Sequence, residues 1–397
     1  MKICLIIDDY LPESIKIGAK MMHELACEFV RNGHGVTVVT PSPLLKEKFT
    51  IETFDGVTVY RFKSGKIKNT GKVQRAINET LLSYRAWNAF KEHFAKERHD
   101  IVVYYSPTIF WGDLVAKLKR LWSAPSYLIL RDIFPQWAID QGLIRQGSII
   151  EKYFRHFERK SYEAADFIGV MSRNNLEWFK KNIQTEADVE ILYNWAANTP
   201  AQSDGSYRRK LGLEGKVVFF YGGNIGHAQD MMNIVRLAKG MQNHPEAYFL
   251  LVGAGDEVDL VQRAIERERL ENIALLPPVS QDEFKRMLAE FDVGLFTLHK
   301  DHTTHNFPGK LLGYMVQSMP ILGSINAGND LKEIVEDAGA GFVTLNGEDE
   351  PLLENAIRLL DRKRREIMGR NASNLLRKTF SVESAARKIT EKTGPKS

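Results

Sequence analysis

At 397 residues the chain exceeds what a single hydrophobic core usually supports, so two or three domains are expected. Hydrophobic residues at 44% and charged residues at 26% are ordinary for a globular protein. The net charge is +4, there are only two cysteines with no CxxC pair or Cys/His cluster, and no apolar run reaches 18 residues, which excludes a zinc module and a membrane-spanning helix from the expectations.

Cys4 and Cys27 fall in apolar strand-like and helix-like runs and read as small core residues. The opening MKICLIIDD is too short and too quickly acidic for a signal peptide, so a cytoplasmic protein is expected. Charge is spread unevenly. Residues 1–200 carry 28 Lys+Arg against 23 Asp+Glu, residues 201–397 carry 26 against 27, and the segment 61–120 alone holds 13 against 5. A basic N-terminal half suits an anionic partner such as a phosphate, lipid headgroup or nucleic acid, or else it is a solvated lysine-rich surface.

Along the chain, KICLII is a buried-strand run, followed by a polar loop from Asp8 to Lys16. A helix over GAKMMHELACEFVRNGH follows, with Gly33 as its stop signal, and VTVVTP is the next strand. Strand, helix and strand within about 40 residues make a βαβ unit with parallel strands. IVVYYS at 101–106, SYLILRD at 126–132 and FIGVMS at 167–172 are further unbroken apolar runs of the kind parallel sheets bury. FWGDLVAKLKRLW at 110–122 interleaves aromatic and basic residues. It reads as a core-facing helix with a basic outer face, or as a membrane-surface helix. The segment Tyr193–Asp204 lacks any period and is rich in turn formers, which places an interdomain linker there.

The pattern then restarts. KVVFFYGG is a strand, a helix is expected over about 228–243, and AYFLLVGAGD, IALLPPV, VGLFTL, PILGSI and GFVTL alternate with helices, including one over 309–317. A second parallel α/β sheet follows from that alternation. Neither a low-complexity segment, an internal repeat nor a nucleic-acid module signature is present.

Ligands of open parallel sheets bind beyond the carboxyl ends of the strands, and two such sheets facing each other would form one cleft. The strongest signal there is FFYGGNIGHAQD at 219–230, a strand running into Gly222, Gly223, Asn224, Ile225 and Gly226 and then a helix. Glycines let backbone approach a phosphate, and a helix start offers N–H groups, although the spacing fits neither GxGxxG nor the Walker pattern and a plain tight turn would look the same. In HTTHNFPGKLLGYMVQSMPILG at 302–323, Pro308 and Gly309 open a helix and Lys310 falls in its first turn. A cation at that end is unfavourable unless an anion is near or the side chain points to solvent. In the first half, the loop after the first strand holds Asp8, Asp9, Ser14 and Gly18, with Gly18 just before a helix. LRDIFPQW sets Arg131 and Asp132 at a strand end, where the carboxylate could take a proton from an attacking hydroxyl, pair with Arg131 or cap a turn.

These residues carry a resemblance. The order of elements resembles the GT-B fold: two doubly wound Rossmann-like α/β domains facing across a cleft. FYGGNIG, FLLVGAG, NIALLPPVSQDEFKRMLAEFDVGL and FPGKLLGYMVQSMPIL resemble the C-terminal half of family 4 retaining glycosyltransferases. RDIFPQW, GNIG and the PGKxxxY stretch are similar to the bacterial subgroup that builds O-antigen and capsule repeats, including N-acetyl-L-fucosaminyltransferase-like enzymes.

The resemblance implies an N-terminal acceptor domain over 1–195, a C-terminal nucleotide-sugar domain over 200–378 and a last helix, about 380–397, packing back on the first. It implies a hexosyl transfer with retention from a nucleotide diphosphate sugar, a UDP-linked amino or deoxy sugar, to a lipid-diphosphate-linked or glycan acceptor at the inner membrane face. No cofactor, metal or nucleic acid is implied. Gly223, Asn224, Ile225 and Gly226 would cradle the donor diphosphate, Lys310 would neutralise it, and Pro278 and Val279 would hold the base. His305, Asn306, Phe307, Pro308 and Gly309 would complete the donor side. Asp132 would face the reacting centre, with Ser14, Gly18 and Arg131 on the acceptor side. Two features depart from the family. The two glutamates usually found eight positions apart are replaced by His305 and Gly313, so ribose is held differently. The usual basic pair after the glycine-rich strand is replaced by Asn224 and Gln229, which leaves the diphosphate charge to Lys310 and backbone N–H groups. A nucleotide-sugar epimerase of the same fold and a non-catalytic assembly partner are the competing readings.

Overall fold

The computed structural model describes residues 1–14, 16–67, 70–300 and 308–393, so His305, Asn306 and Phe307 lie outside the described residues. The chain divides into two compact units, Met1–Tyr193 with Val382–Ser397, and Asn194–Ser381.

The first unit runs β1 (Lys2–Ile6), α1 (Ile17–Arg31), β2 (Gly35–Ser42), β3 (Phe49–Phe54), β4 (Val57–Lys63), α2 (Lys72–Thr80), α3 (Leu82–Lys96), β5 (Ile101–Ser106), α4 (Gly112–Trp122), β6 (Ser126–Leu130), α5 (Gln136–Asp140), α6 (Ile149–Glu163), β7 (Phe167–Val170), α7 (Arg173–Asn182) and β8 (Asp188–Ile191). The sheet order is β3-β4-β2-β1-β5-β6-β7-β8. All pairs are parallel except β3 with β4, a hairpin the apolar runs did not reveal because β3 is largely solvent-facing. β1, β5 and β6 are buried on both faces, which is why they read as continuous hydrophobic runs. α1 ends as its sequence suggests: Gly33 N–H bonds Val30 O at 2.9 Å and His34 N–H bonds Phe29 O at 3.0 Å, closing the last turn.

α4 resolves the ambiguity of its aromatic and basic residues. Trp111, Leu114, Val115, Leu118 and Trp122 are in the core, and Trp122 Nε1 donates to Phe94 O at 2.8 Å. Its basic side chains are engaged along the outer face, Lys117 over the Trp87 ring and Lys119 with Asp166 at 2.8 Å. The membrane-surface reading of this helix is therefore corrected, because the tryptophans that would enter the bilayer are filling the domain interior. Cys4 is a core residue, but Cys27 is only half-buried and lies beside His23.

The second unit runs α8 (Ser206–Leu211), β9 (Val217–Asn224), a short 3₁₀ turn (His227–Gln229), α9 (Met232–Gly240), β10 (Ala247–Ala254), α10 (Val258–Glu268), β11 (Ile273–Leu276), α11 (Gln281–Leu288), β12 (Val293–Thr297), α12 (Lys310–Val316), β13 (Ile321–Ile325), α13 (Leu331–Asp337), β14 (Gly341–Leu345), α14 (Asp349–Arg358) and α15 (Arg362–Leu375). Its parallel sheet has the order β11-β10-β9-β12-β13-β14, the doubly wound arrangement in which the chain reverses direction beside the first strand. Phe219, Tyr221, Phe249, Leu251, Val293 and Leu295 form its core with α9 and α10. Within this unit Ala196 N–H bonds Phe380 O at 3.0 Å, which ties the segment after Tyr193 to the residues before the last helix. That helix, α16 (Val382–Thr393), packs in the first unit, where Lys388 bonds Ile191 O and Lys392 pairs with Asp188 at 2.6 Å. Among the described residues no helix is long and apolar enough to cross a membrane.

Candidate active site

In the second unit the switch point of the sheet lies between β9 and β12, and the carboxyl ends there carry the glycine-rich turn. β9 and β10 pair in register through Gly223↔Gly253 and Asn224↔Ala254, so the two glycine turns of the sequence, GGNIG and GAG, stand side by side. A Cβ on Gly253 would lie 1.8 Å from Gly223 O, so only glycine lets the strands end this close together. Gly223 has φ +133°, and a Cβ there would sit 3.5 Å from Cε and 3.6 Å from Nζ of Lys310.

Lys310 opens α12, and its ammonium lies 3.6 Å from the centre of the Tyr221 ring, a cation–π contact. Among the described residues no carboxylate pairs with it. Burial without a counter-charge pulls its pKa down from 10.5 to about 7. The structure thus brings together the glycine turn and the lysine that the sequence places 87 positions apart. Tyr314, one turn further along α12, is fully buried; its hydroxyl accepts from Gly222 N–H at 3.3 Å and donates to Leu295 O at 2.9 Å, fixing the helix to the ends of β9 and β12.

The turn itself differs from the expected strand-to-helix junction. Gly226 is extended, a single 3₁₀ turn follows, and Asp230 at φ +48° breaks the chain before α9 begins at Met232. The α-helix start is therefore not at the turn. Ile225 is fully buried, with its N–H donated to Ala254 O at 2.9 Å and its carbonyl accepting from Glu257 N–H at 3.1 Å, so its main chain is already committed. Asn224 is exposed, and its amide donates to Gln229 Oε1 at 2.6 Å. The two positions where the resemblance leads one to expect a basic pair therefore hold two neutral amides bonded to each other. Gly226 lies against Asp256, whose Oδ1 is 2.4 Å from where a Cβ would be. His227 stands 3.4 Å from Glu257 and its ring is 4.8 Å from that of His299. The sequence reading missed this group; the signal available was two histidines at the ends of strands that prove to be neighbours.

Pro278 and Val279 follow β11, with Pro278 exposed and Val279 half-buried, and Ser280 then caps α11 by accepting from Glu283 N–H at 3.3 Å. Pro308 and Gly309 precede α12, with Gly309 exposed. Gly313 lies on α12 against Leu288, where a Cβ would meet Cδ1 at 3.1 Å, so no side chain reaches out from that position.

In the first unit the carboxyl ends of β1, β5 and β6 gather Asp8, Tyr105, Ser106, Arg131 and Asp132. Asp132 is exposed as a residue, and its pKa is raised, first by desolvation of its carboxyl and further by Asp8, against the pull of Arg131. Tyr105 is pushed up to about 12 by burial, with Arg131 opposing and Asp8 and Asp132 adding. Gly18 lies inside α1, in its first turn rather than before it, and a Cβ there would meet the Tyr105 hydroxyl at 3.1 Å. Ser14 is buried and accepts from Lys16 N–H at 3.3 Å. Beside it, Asp8, Asp9, Ser14 and Lys16 line a cavity of about 370 Å³.

Arg131 corrects the expectation of an acceptor contact. Its guanidinium is buried and turned to the carbonyls of Leu130, Gly169 and Tyr193 at 3.2, 3.4 and 3.3 Å, which makes it a strut across the ends of β6 and β7. A concavity of about 1420 Å³ is lined by Glu163, Asp166 and Glu186 before β7 and β8, at the opposite edge of the sheet from these groups.

Comparison with known proteins places both halves. Residues 18–195 match the "Glycosyl transferase 4-like domain" family and residues 204–375 match "Glycosyl transferases group 1". The "Probable glycosyltransferase WbjE" of Pseudomonas aeruginosa is 27% identical over 222 residues, which span 54% of each chain. The "Putative colanic acid biosynthesis glycosyl transferase WcaI" of Escherichia coli K12 is 24% identical over 378 residues, covering 90% of this chain and 91% of that one. Among solved structures, HepE of Anabaena in complex with UDP and glucose superposes with TM-score 0.66 at 16% identity over 99% of both chains. The sucrose-phosphate synthase of Thermosynechococcus elongatus does so with TM-score 0.66 at 13% identity over 98% and 97%. The fold is GT-B, and each half of the chain matches a glycosyltransferase domain family.

Proposed function

We infer that this protein works as its two halves' family matches suggest, as a glycosyltransferase, and that it moves a sugar from a nucleotide diphosphate donor to a hydroxyl acceptor in the assembly of a bacterial surface polysaccharide. One observation carries the reading: the half-buried Lys310, its ammonium unpaired among the described residues, lies against Gly223 in the glycine turn of β9. A desolvated cation whose pKa has fallen to about 7 gains most from a dianionic group that restores its charge.

In this reading the donor diphosphate lies over Gly223, Asn224 and Gly226, the base lies by Pro278 and Val279, and Pro308 and Gly309 line the approach. The anomeric C–O bond to the diphosphate breaks as the bond to the acceptor oxygen forms. Lys310 and the preorganised N–H groups hold the charge that develops on the leaving diphosphate. Asp132 takes the proton of the acceptor hydroxyl, a role its raised pKa suits. The acceptor attacks on the face the diphosphate leaves, so configuration is retained, and the lysine serves where other transferases use a metal.

HepE was solved with UDP and glucose, which supports a uridine diphosphate donor, here of an amino or deoxy sugar. The name of WcaI, a putative colanic acid biosynthesis glycosyl transferase, supports surface polysaccharide synthesis. In this reading the acceptor is a lipid-diphosphate-linked glycan at the cytoplasmic side of the inner membrane. Peripheral binding to that anionic face fits the first unit. α2 exposes Val73 and Ile77, the start of α6 exposes Ile149 and Ile150, and the Thr80 and Tyr153 hydroxyls join the two helices, within a half of the chain that carries the basic excess.

The test is to incubate the protein with a panel of UDP-sugars and lipid-diphosphate glycans and follow product by mass spectrometry, with NMR of the anomeric proton for configuration. Transfer with retention is expected. Absence of product across the panel, or a donor altered at a sugar carbon without acceptor, would overturn the reading. Sedimentation with anionic vesicles, and its loss in Ile149→Asp with Val73→Asp, tests the membrane contact.

A further inference from the structure

α1 places His23 and Cys27 one turn apart on the same face, at positions i and i+4. The hairpin of β3 and β4 turns on Asp55 and Gly56 with φ of +49° and +78°, both central residues left-handed, a two-residue turn for which Asp-Gly is suited. That turn delivers Asp55 to the helix face. The result is three donor atoms around one point. Nε2 of His23 lies 3.1 Å from Asp55 Oδ2 and 3.4 Å from Cys27 Sγ, and all three lie within 4.8 Å of one another. The other ring nitrogen, Nδ1, is held at 2.8 Å by the hydroxyl of Tyr10, a residue only 2% exposed.

We propose that His23, Cys27 and Asp55 form a zinc site, with water as the fourth ligand. Ligands of a tetrahedral zinc stand about 3.3–3.6 Å apart, given metal distances of about 2.0–2.3 Å, so the gaps at Nε2 need only small adjustment. The donor set of one thiolate, one imidazole and one carboxylate is borderline-soft and selects zinc or cobalt over magnesium or calcium. Tyr10 supplies the outer contact that ligating histidines usually have: it fixes the ring so that Nε2 faces inward to Cys27 and Asp55. His23 is buried and Cys27 half-buried, while the Asp55 side chain is 62% exposed, so an ion has a way in and a solvent side for its water. Binding replaces the thiol proton of Cys27, which leaves to solvent, and joins the sulfur, Nε2 and Oδ2 to the metal. The ion would clamp the β3–β4 hairpin to α1 and, through Tyr10, steady the loop that carries Asp8 and Asp9. No zinc signature is visible in the sequence, because the third ligand is contributed by a hairpin 28 residues beyond the second.

The experiment uses the full chain without an affinity tag, stripped with a chelator and titrated with Co²⁺. One equivalent is expected to bind, with the visible ligand-field bands of four-coordinate cobalt and a near-ultraviolet thiolate charge-transfer band, both erased by one equivalent of Zn²⁺. Cys4 is fully buried, so that charge-transfer band reports Cys27. Cys27→Ala should abolish it while the protein melts at the temperature of the metal-free wild type. Asp55→Asn, which keeps the turn, should weaken binding by about tenfold or more, and Tyr10→Phe by about tenfold to a hundredfold. Zinc should raise the melting temperature of the wild type but not of Cys27→Ala. Absence of stoichiometric cobalt binding, or bands that persist in Cys27→Ala, would overturn the assignment.

Discussion

The two domains share one sheet plan and differ in what their strands present at the carboxyl ends. In the C-terminal domain those ends are glycines, main-chain groups and one desolvated ammonium, Lys310, beside the neutral pair Asn224 and Gln229. In the N-terminal domain they are carboxylates and a phenol, Asp8, Asp132 and Tyr105, with the arginine of the group turned inward as a strut. Topology alone sets where a ligand binds; the side chains at the strand ends decide whether the place attracts an anion or accepts a proton.

Four measurements break or sharpen that contrast. Asp132→Asn removes the proton acceptor and should slow transfer by about a hundredfold or more while donor affinity stays level, read by steady-state rates beside calorimetric binding. An equal loss of donor affinity would erase the division of labour between the domains. Lys310→Ala removes the only cation at the glycine turn among the described residues and should cost about 3 kcal/mol in the transfer step, roughly a hundredfold in kcat. Near-normal turnover would return the turn to a purely structural role.

The same lysine predicts a pH dependence confined to the C-terminal domain. Its folded pKa is about 7, and the bound diphosphate favours the protonated form. Donor affinity should therefore be full below pH 7 and fall by up to about tenfold per pH unit above it, while Lys310→Arg, which does not titrate there, should give a flat profile. For stability the sign runs the other way. A lysine whose pKa is depressed on folding costs stability fully below pH 7, and that cost is lifted as pH rises toward 10.5. The smallest effect belongs to Tyr314→Phe. It removes the bonds to Gly222 and Leu295 and should cost about 1 kcal/mol for each partner left unmade, visible in urea unfolding of the C-terminal domain and absent from the N-terminal one.

Much of the fold was legible because parallel strands buried on both faces must be continuous apolar runs, as IVVYYS and SYLIL are. The hairpin of β3 and β4 was not, since its outer strand is solvated and has no such run. In the site, Gly223 and Lys310 could be singled out one at a time, each by a local conflict: a glycine cluster at a strand end and a cation at a helix start. The His227, Glu257 and His299 group had no local mark, because its members sit on three different loops.

What the sequence determined by itself was therefore periodicity and local chemistry: two α/β sheets, their order of elements, and which strand ends carry glycine, lysine or carboxylate. What only the tertiary structure decided was adjacency and direction: that Lys310 folds onto Gly223, that Arg131 points inward while Asp132 points out, that the tryptophans of α4 fill the core, and that Asp55 meets His23 and Cys27. The reason is physical. A residue's type and spacing fix its local backbone and its face, but its partners come from strand order and packing, which bring together groups that no window of sequence contains.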